Sequence, residues 1–151
     1  MLICEMAAYY RQQGRSLDEV MTSIYEEFGH YLNRTESFEF DGAAGMQKMN
    51  EIMTSLRESH PAAFSGYRVT ACSDYLNSFC KDLESGESIE IHLPKSNVLA
   101  YSLEGGGAVI VRPSGTEPKI KVYLTSVGTS QQDAADIAQR LFDDTKKILG
   151  V

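Results

Sequence analysis

The sequence of 151 residues lacks the features typical of membrane, secreted and nucleic-acid-binding proteins. No apolar run approaches the roughly 20 residues that a membrane-spanning helix needs. The first 14 residues lack the basic segment of a signal peptide, and Glu5 interrupts their apolar residues. The net charge of −7 disfavours binding to nucleic acid or to an anionic membrane surface, because both are bound through basic patches. We therefore expect a cytoplasmic protein with neither of these partners.

Cysteine and histidine are too few and too scattered to predict a metal site or a disulfide framework. The cysteines are Cys4, Cys72 and Cys80, and the histidines are His30, His60 and His92. No CxxC pair occurs, so each cysteine is expected to be a small buried or half-buried apolar residue. The histidines do not predict a metal site or a catalytic dyad.

The composition is that of a globular protein, with 42% hydrophobic and 23% charged residues. Apolar residues recur at helical spacing in three segments, over residues 1–13, 17–28 and 43–58. Ser16 and Glu19 match a capping box at the start of the second helix. Residues 31–40 alternate only in part and are predicted as a short strand or an extended linker. The methionines of the third helix are expected to pack in the core.

Short apolar runs joined by polar turns dominate the second half of the chain, and the candidate strands are 67–75, 89–94, 97–103, 108–112 and 119–126. Such tight connections require antiparallel pairing. Thr129 and Gln132 match a second capping box, which predicts a final helix that ends at Gly150. We predict an α+β fold in which a small antiparallel sheet of about four strands is covered by two helices. Residues 1–41 would be the helical end of a preceding domain with its linker, and residues 42–151 the C-terminal domain.

The stretch IVRPSGTEPKIKVYL, residues 110–124, places a tight turn between two β-branched runs. Side chains alternate between the two faces of a strand, so Val111, Ile120, Val122 and Leu124 can face the helices. Under regular pairing, Arg112 and Lys121 then project together on the opposite face, close to the shared turn.

The turn between these strands carries groups that donate hydrogen bonds to a phosphate. Arg112 offers a planar fork of donors, and Ser114 and Thr116 add hydroxyl groups. Gly115 permits a positive φ and a close approach of backbone amides to a ligand. Lys121 adds a second full positive charge. These groups together predict a site for a dianionic phosphate.

Other interpretations of the turn are open or disfavoured. A plain β-turn rich in proline, serine and glycine would have a similar composition. The GxxxxGK[ST] pattern of a nucleotide-binding P-loop is missing, and the turn precedes a strand instead of a helix. A serine hydrolase is disfavoured, because no GxSxG motif surrounds Ser114.

The segment RPSGTEPKIKVYL closely resembles the phosphate-binding loop of the α-D-phosphohexomutases, the phosphoglucomutase and phosphomannomutase enzymes. The longer stretch LPKSNVLAYSLEGGGAVIVRPSGTEPKIKVYL resembles their C-terminal domain as a whole. The stretch EMAAYYRQQGRSLDEVMTSIYEEFGHY resembles the end of the preceding domain and its connection to the last one. The resemblance covers essentially the whole chain and implies the TATA-binding-protein-like fold of that C-terminal domain.

The resemblance also implies a function. Enzymes of this family convert a hexose 1-phosphate to a hexose 6-phosphate through a bisphosphorylated intermediate of the glucose 1,6-bisphosphate type. A phosphoserine and a Mg²⁺ ion in other domains carry out the transfer, while the C-terminal domain grips the phosphate that is not reacting. By this resemblance, the contacts to that phosphate, or to a free phosphate or sulfate, would come from Arg112, Ser114, Gly115, Thr116 and Lys121.

The other functional loops of the family are absent from the sequence. It has no T-A-S-H-N-P serine loop and no D-G-D-G-D-R metal loop, and LESGES at 83–88 lies too late in the chain to be the sugar-reading loop. We therefore expect no catalytic residue and no metal ligand, and a fragment that is inactive without the N-terminal domains of its parent mutase. The alternatives are a stand-alone module that binds a phosphorylated metabolite and a purely structural or oligomerisation domain.

Overall fold

An antiparallel sheet with helices on one face organises the computed structural model of this protein. The structure describes the backbone of residues 1–151 and the side chains of residues 1–42 and 44–151. The helices are α1 (Leu2–Gln12), α2 (Leu17–Phe28), α3 (Ala43–Glu58) and α4 (Gln131–Leu149). The strands are β1 (His30–Glu39), β2 (Ala63–Phe64), β3 (Tyr67–Asp74), β4 (Phe79–Asp82), β5 (Ser88–Glu90), β6 (Leu99–Leu103), β7 (Ala108–Pro113) and β8 (Lys119–Gly128).

The sheet is wider than the sequence predicts. Its order is β1-β8-β7-β6-β3-β4-β5, every neighbouring pair is antiparallel, and β2 pairs with β3. The α+β class and the antiparallel pairing are therefore confirmed. The predicted strands β8, β7, β6 and β3 form the centre, and β1 and the β4–β5 hairpin extend the two edges.

Strand β1 is the main difference from the sequence analysis, which left residues 31–40 as a short strand or linker. β1 pairs with β8 along its whole length, from His30 opposite Gly128 to Glu39 opposite Lys119. The side of β1 that faces the helices is partly polar, which weakens the alternation of apolar and polar residues in its sequence. The Arg34 guanidinium on this side lies 4.3 Å from the centre of the Phe142 ring on α4. The predicted boundary at residue 41 stays a prediction, and this edge strand precedes it.

Helices α3 and α4 supply the apolar residues that cover the inner face of the sheet. The methionine stripe of α3 packs in this core, as predicted, with Met49 and Met53 buried, although Met46 is exposed. The sheet contributes mainly the alternating residues of its central strands, which are Leu99, Tyr101, Val109, Val111, Ile120, Val122 and Leu124. One face of β7 and β8 is thus committed to the core, and the other stays free for solvent.

Helix α4 begins one residue later than its predicted capping box. Ser130 is the N-cap, and its hydroxyl oxygen accepts a hydrogen bond of 3.1 Å from the Asp133 amide. Thr129 instead donates its amide and its hydroxyl to the Asp133 carboxylate, at 2.8 and 3.0 Å. The predicted Thr129–Gln132 box is therefore wrong, because aspartate at the third helical position takes the role expected of the glutamine. The predicted C-terminal end at Gly150 is confirmed by its left-handed conformation.

The first two helices bury little of their surface. α1 has no buried residue and α2 buries only Val20, although the predicted Ser16–Glu19 capping box is present with both of its hydrogen bonds. Cys4 on α1 is exposed, which contradicts the expectation that each cysteine is at least half-buried. Along the described chain, no helix combines the length and the apolar character needed to cross a membrane.

Candidate functional site

The turn between β7 and β8 brings two cations to one point on the free face of the sheet. The register pairs Arg112 directly with Lys121, and Val111 on the preceding step pairs with Val122. The two valines are buried, whereas Arg112 is exposed and Lys121 half-buried. The predicted alternation is therefore confirmed. Like charges on directly opposed residues destabilise a sheet, so this pair costs stability in the fold without a ligand.

The serine of the turn holds the loop in shape. The Ser114 hydroxyl oxygen accepts hydrogen bonds from the amides of Thr116 and Glu117, at 3.4 and 3.3 Å. The Ser114 amide donates to the Lys119 carbonyl at 2.8 Å, which closes the base of the turn. The Ser114 hydroxyl hydrogen is still available to a ligand, because both of these side-chain contacts use the oxygen as acceptor.

Gly115 lies at the tip of the loop and does not use the positive φ that a glycine permits. The serine-organised turn accounts for this, because the bonds to the Ser114 oxygen form without a left-handed residue. A Cβ atom added at Gly115 would meet no atom within 4 Å. The empty loop therefore has room for a larger side chain at this position.

These side chains surround a cleft of about 310 Å³. Its lining consists of Arg112, Pro113, Ser114, Gly115, Thr116, Glu117, Lys119, Lys121 and Tyr123. All five residues predicted to bind phosphate are therefore brought together, and their role in binding stays a prediction. Glu117, Lys119 and Tyr123 were not among the predicted ligands. The alternation that selected Lys121 already places Lys119 and Tyr123 on the same face of β8.

The electrostatics of the cleft are opposite to those of the whole chain. Three cationic side chains, Arg112, Lys119 and Lys121, face the single carboxylate of Glu117 in the lining, although the net charge of the protein is −7. Glu117 and Lys119 form an ion pair. The hydrogen bond from Lys119 holds the pKa of the Glu117 carboxyl below its usual value and raises the pKa of Lys119 in turn. Both groups are therefore charged at neutral pH.

The chain resembles known proteins over almost all of its length. Residues 76–144, which include the β7–β8 turn, match the family model described as "Phosphoglucomutase/phosphomannomutase, C-terminal domain". Over these residues the chain is similar to that family. The resemblance inferred from the sequence of the loop is thereby confirmed.

Two curated phosphoglucomutases and one solved structure extend this similarity. The chain is 33% identical over 146 residues to the phosphoglucomutase of Staphylococcus haemolyticus (strain JCSC1435). This alignment covers 96% of the chain and 26% of the relative. It is 34% identical over 140 residues to that of Staphylococcus aureus (strain bovine RF122 / ET3-1), covering 93% and 25%. The chain therefore spans about a quarter of the length of the curated relatives it matches.

The structural neighbour supports the fold. It is the open form of pp63/parafusin, a phosphoglucomutase from Paramecium, and it superposes with a TM-score of 0.62. The sequences are 17% identical, and the alignment covers 96% of this chain and 25% of that one. At this level of identity the likeness shows the shared fold alone.

The Mg²⁺ ion that the family implies does not fit the residues present here. Among the side chains of residues 1–42 and 44–151, no group of three or more His, Cys, Asp or Glu residues could hold a metal ion. A Mg²⁺ site needs several oxygen ligands in octahedral geometry, and the cleft lining offers one carboxylate that is already paired with a lysine. The described side chains therefore do not offer a Mg²⁺ site.

Proposed function

We propose that this chain is the substrate-phosphate clamp of a phosphoglucomutase or phosphomannomutase, and that it holds the phosphate of a hexose phosphate that is not reacting. The observation that carries the proposal is the direct pairing of Arg112 with Lys121 on the free face of the sheet. Two cations held side by side repel each other, and a dianion between them converts that repulsion into attraction. A phosphate monoester carries about two negative charges near neutral pH.

The hydrogen-bond donors of the turn suit the same ligand. Arg112 can donate two parallel hydrogen bonds to phosphate oxygens, and this fork gives orientation as well as energy. Ser114 and Thr116, which carry hydroxyl groups, belong to the same lining. The open space around Gly115 would let a phosphate oxygen approach the loop amides closely.

The clamp would contribute to catalysis by binding at a distance from the reaction. In the full enzyme the sugar phosphate reorients between two half-reactions, so a grip on phosphate without contacts to the sugar accepts either end. The binding energy of the remote phosphate then positions the reacting one. The serine loop, the metal loop and the sugar loop would be supplied by the missing N-terminal domains, which makes those domains the partners of this chain and leaves it inactive alone.

The test is the affinity of the 151-residue chain for glucose 1,6-bisphosphate, measured by calorimetry at low ionic strength. We expect saturable binding at millimolar or lower concentration and at least a ten-fold loss with Arg112→Ala, since this change removes a charged, forked donor. Arg68→Ala is the matched control, because Arg68 is an exposed strand arginine on β3 that is paired with Glu84. No binding by the unaltered chain, or equal losses for the two variants, would contradict the clamp.

A further inference from the structure

Lys119 is a cation of the cleft that no part of the proposed clamp uses. Its side chain lines the cleft together with Arg112 and Lys121. Unlike those two, it is already engaged by a carboxylate, since it forms an ion pair with Glu117. The lysine side chain is 23% exposed and the glutamate side chain 59%. The pair therefore lies at the rim, where water and ligands reach the glutamate first.

Lys119 also borders a second cleft of about 300 Å³, which is lined by Glu39, Phe40, Asp41, Gly42, Glu117, Pro118 and Lys119. Glu39 is the residue directly opposite Lys119 in the β1–β8 register. The pKa of Lys119 is raised, first by its hydrogen bond to Glu117 and further by the charge of Glu39. Lys119 therefore lines both an acidic cleft and a basic one.

The backbone around Lys119 is fixed while its side chain is free to change partner. The Lys119 carbonyl accepts from the Ser114 amide at 2.8 Å, and the Lys119 amide donates to the Glu117 carbonyl at 2.7 Å. The preceding residue, Pro118, is anchored as well, since the Phe40 amide donates to the Pro118 carbonyl at 2.8 Å. A lysine has a flexible four-carbon stem and a compact charge, so its ammonium can move between two anions without a change in the loop.

We propose that Lys119 is a third cationic ligand of the phosphate, and that it forms its ion pair with Glu117 only while the cleft is empty. The inference rests on the proposed function, because it assigns two further residues to the same site. A dianionic phosphate between Arg112 and Lys121 competes with the monoanionic Glu117 for the Lys119 ammonium. Binding then exchanges one ion pair for another, and departure of the phosphate restores the first.

This exchange weakens phosphate binding relative to a cleft with three free cations. Part of the attraction between Lys119 and phosphate is offset by the lost contact with Glu117. Such an arrangement suits a clamp that must release and rebind its ligand within one catalytic cycle, since tight binding of the ground state does not raise the turnover rate.

A double-mutant cycle on the full 151-residue chain tests the inference, with inorganic phosphate as the probe and NMR titration at low ionic strength as the measurement. We expect Glu117→Gln to tighten phosphate binding by roughly three-fold to five-fold, and Lys119→Met to weaken it by a similar factor, because exposed ion pairs have energies of this size. In the Lys119→Met background, Glu117→Gln should change the affinity by less than about 1.5-fold. Glu58→Gln, at the far end of α3, controls for the change in net charge.

The outcomes separate this inference from the clamp itself. If the unaltered chain binds phosphate and Arg112→Ala abolishes binding, but Glu117→Gln binds no tighter, the role of Glu117 is wrong and the clamp stands. If Glu117→Gln tightens binding equally with and without Lys119, the glutamate only repels the ligand and the exchange is wrong. If neither the unaltered chain nor Glu117→Gln binds phosphate, both proposals fail.

A second measurement follows the exchange directly in the unaltered chain. Lys119 is the largest cause of the low pKa of the Glu117 carboxyl. If Lys119 turns to the phosphate, the Glu117 pKa must rise toward its usual value when the ligand is added, and carboxyl ¹³C shifts report this. A Glu117 pKa that stays low in saturating phosphate would show that the ion pair persists and would overturn the inference.

Discussion

At the scale of single residues, the opposed pair of Arg112 and Lys121 predicts a conflict between stability and binding. Directly opposed like charges cost roughly 0.2–1 kcal/mol in a sheet. We therefore expect Lys121→Met to leave the free energy of unfolding unchanged or to raise it by up to about 1 kcal/mol, while it weakens phosphate binding several-fold. Urea denaturation and phosphate titration of the same samples measure both effects.

The control for Lys121→Met is Lys81→Met on β4, where the residue opposite is the uncharged Cys72. That change should alter neither quantity by much. A clear loss of stability with Lys121→Met would show that Lys121 supports the empty fold, and the argument from charge repulsion would then fail.

Gly115 gives a second residue-scale prediction. Its φ is not in the positive range and a Cβ atom would meet no neighbour within 4 Å, so alanine fits the empty loop. We expect Gly115→Ala to change the free energy of unfolding by less than about 1 kcal/mol. It should nevertheless weaken phosphate binding, because the methyl group would occupy the space in front of the loop amides. Unchanged affinity would show that the ligand does not approach this part of the backbone.

At the scale of elements, close contact between β8 and α4 makes another glycine sensitive. A Cβ atom at Gly128 would lie 2.3 Å from the Ala134 amide nitrogen, in the first turn of α4. Backbone atoms of a packed helix cannot move aside cheaply, so Gly128→Ala should destabilise the fold by about 1–3 kcal/mol. Thermal unfolding measures the change, with Gly115→Ala as the matched control. Equal stabilities for the two variants would contradict the packing described for β8 and α4.

A buried carboxylate joins β3 to helix α3 and to the turn that follows β3. Asp74 at the end of β3 is 2% exposed, and it accepts from the Arg57 guanidinium of α3 at 3.2 Å and from the Asn77 side-chain amide at 2.6 Å. Removing it would leave a largely buried arginine without its charged partner. We expect Asp74→Ala to cost about 3 kcal/mol or more in the free energy of unfolding, measured by urea denaturation.

Asp82 provides the comparison for Asp74. The Asp82 carboxylate accepts hydrogen bonds from the backbone amides of Glu84 and Ser85, at 2.9 and 2.7 Å, but it is exposed. Asp82→Ala should cost about 1 kcal/mol. Similar losses at the two positions would mean that the buried ion pair with Arg57 adds nothing.

The elements differ in how well the sequence predicts them, and the reasons are physical. α3 was predicted from Ala43 to Glu58 and has these bounds, because its apolar spacing and its ends agree. β1 was underestimated, since an edge strand needs one partner only and its inner side carries Arg34 and Glu36, joined by an ion pair. The pairing of β1 with β8 depends on residues that are distant in the sequence. A local pattern of residues does not contain this information.

The candidate site was more predictable than the edges of the sheet. Alternation along β7 and β8 was sufficient to place Arg112 and Lys121 together. The Glu117–Lys119 pair was missed, because an ion pair within a turn depends on rotamers and on the path of the loop. The conformation of Gly115 could not be predicted for the same reason, since the Ser114 oxygen organises the turn without a left-handed residue.

At the scale of the whole molecule, the chain spans about a quarter of the length of the relatives it matches. Its cleft contains only the proposed phosphate site. Phosphoryl transfer needs a nucleophile, charge neutralisation and positioning at the same time. We therefore expect the chain alone to convert no glucose 1-phosphate to glucose 6-phosphate, at any Mg²⁺ concentration, in a coupled dehydrogenase assay. Turnover above the uncatalysed rate would contradict the assignment of the remaining parts to other domains.

The central claim is that the β7–β8 turn is the place where phosphate binds, and a map of amide shifts tests it most directly. ¹H–¹⁵N spectra of the chain would be recorded during titration with glucose 1,6-bisphosphate, beside the same titration of Arg112→Ala. The account predicts saturable shifts confined to residues 112–121 and their neighbours on the free face of the sheet, which disappear in the variant. Shifts centred elsewhere, or shifts that persist in Arg112→Ala, would contradict it.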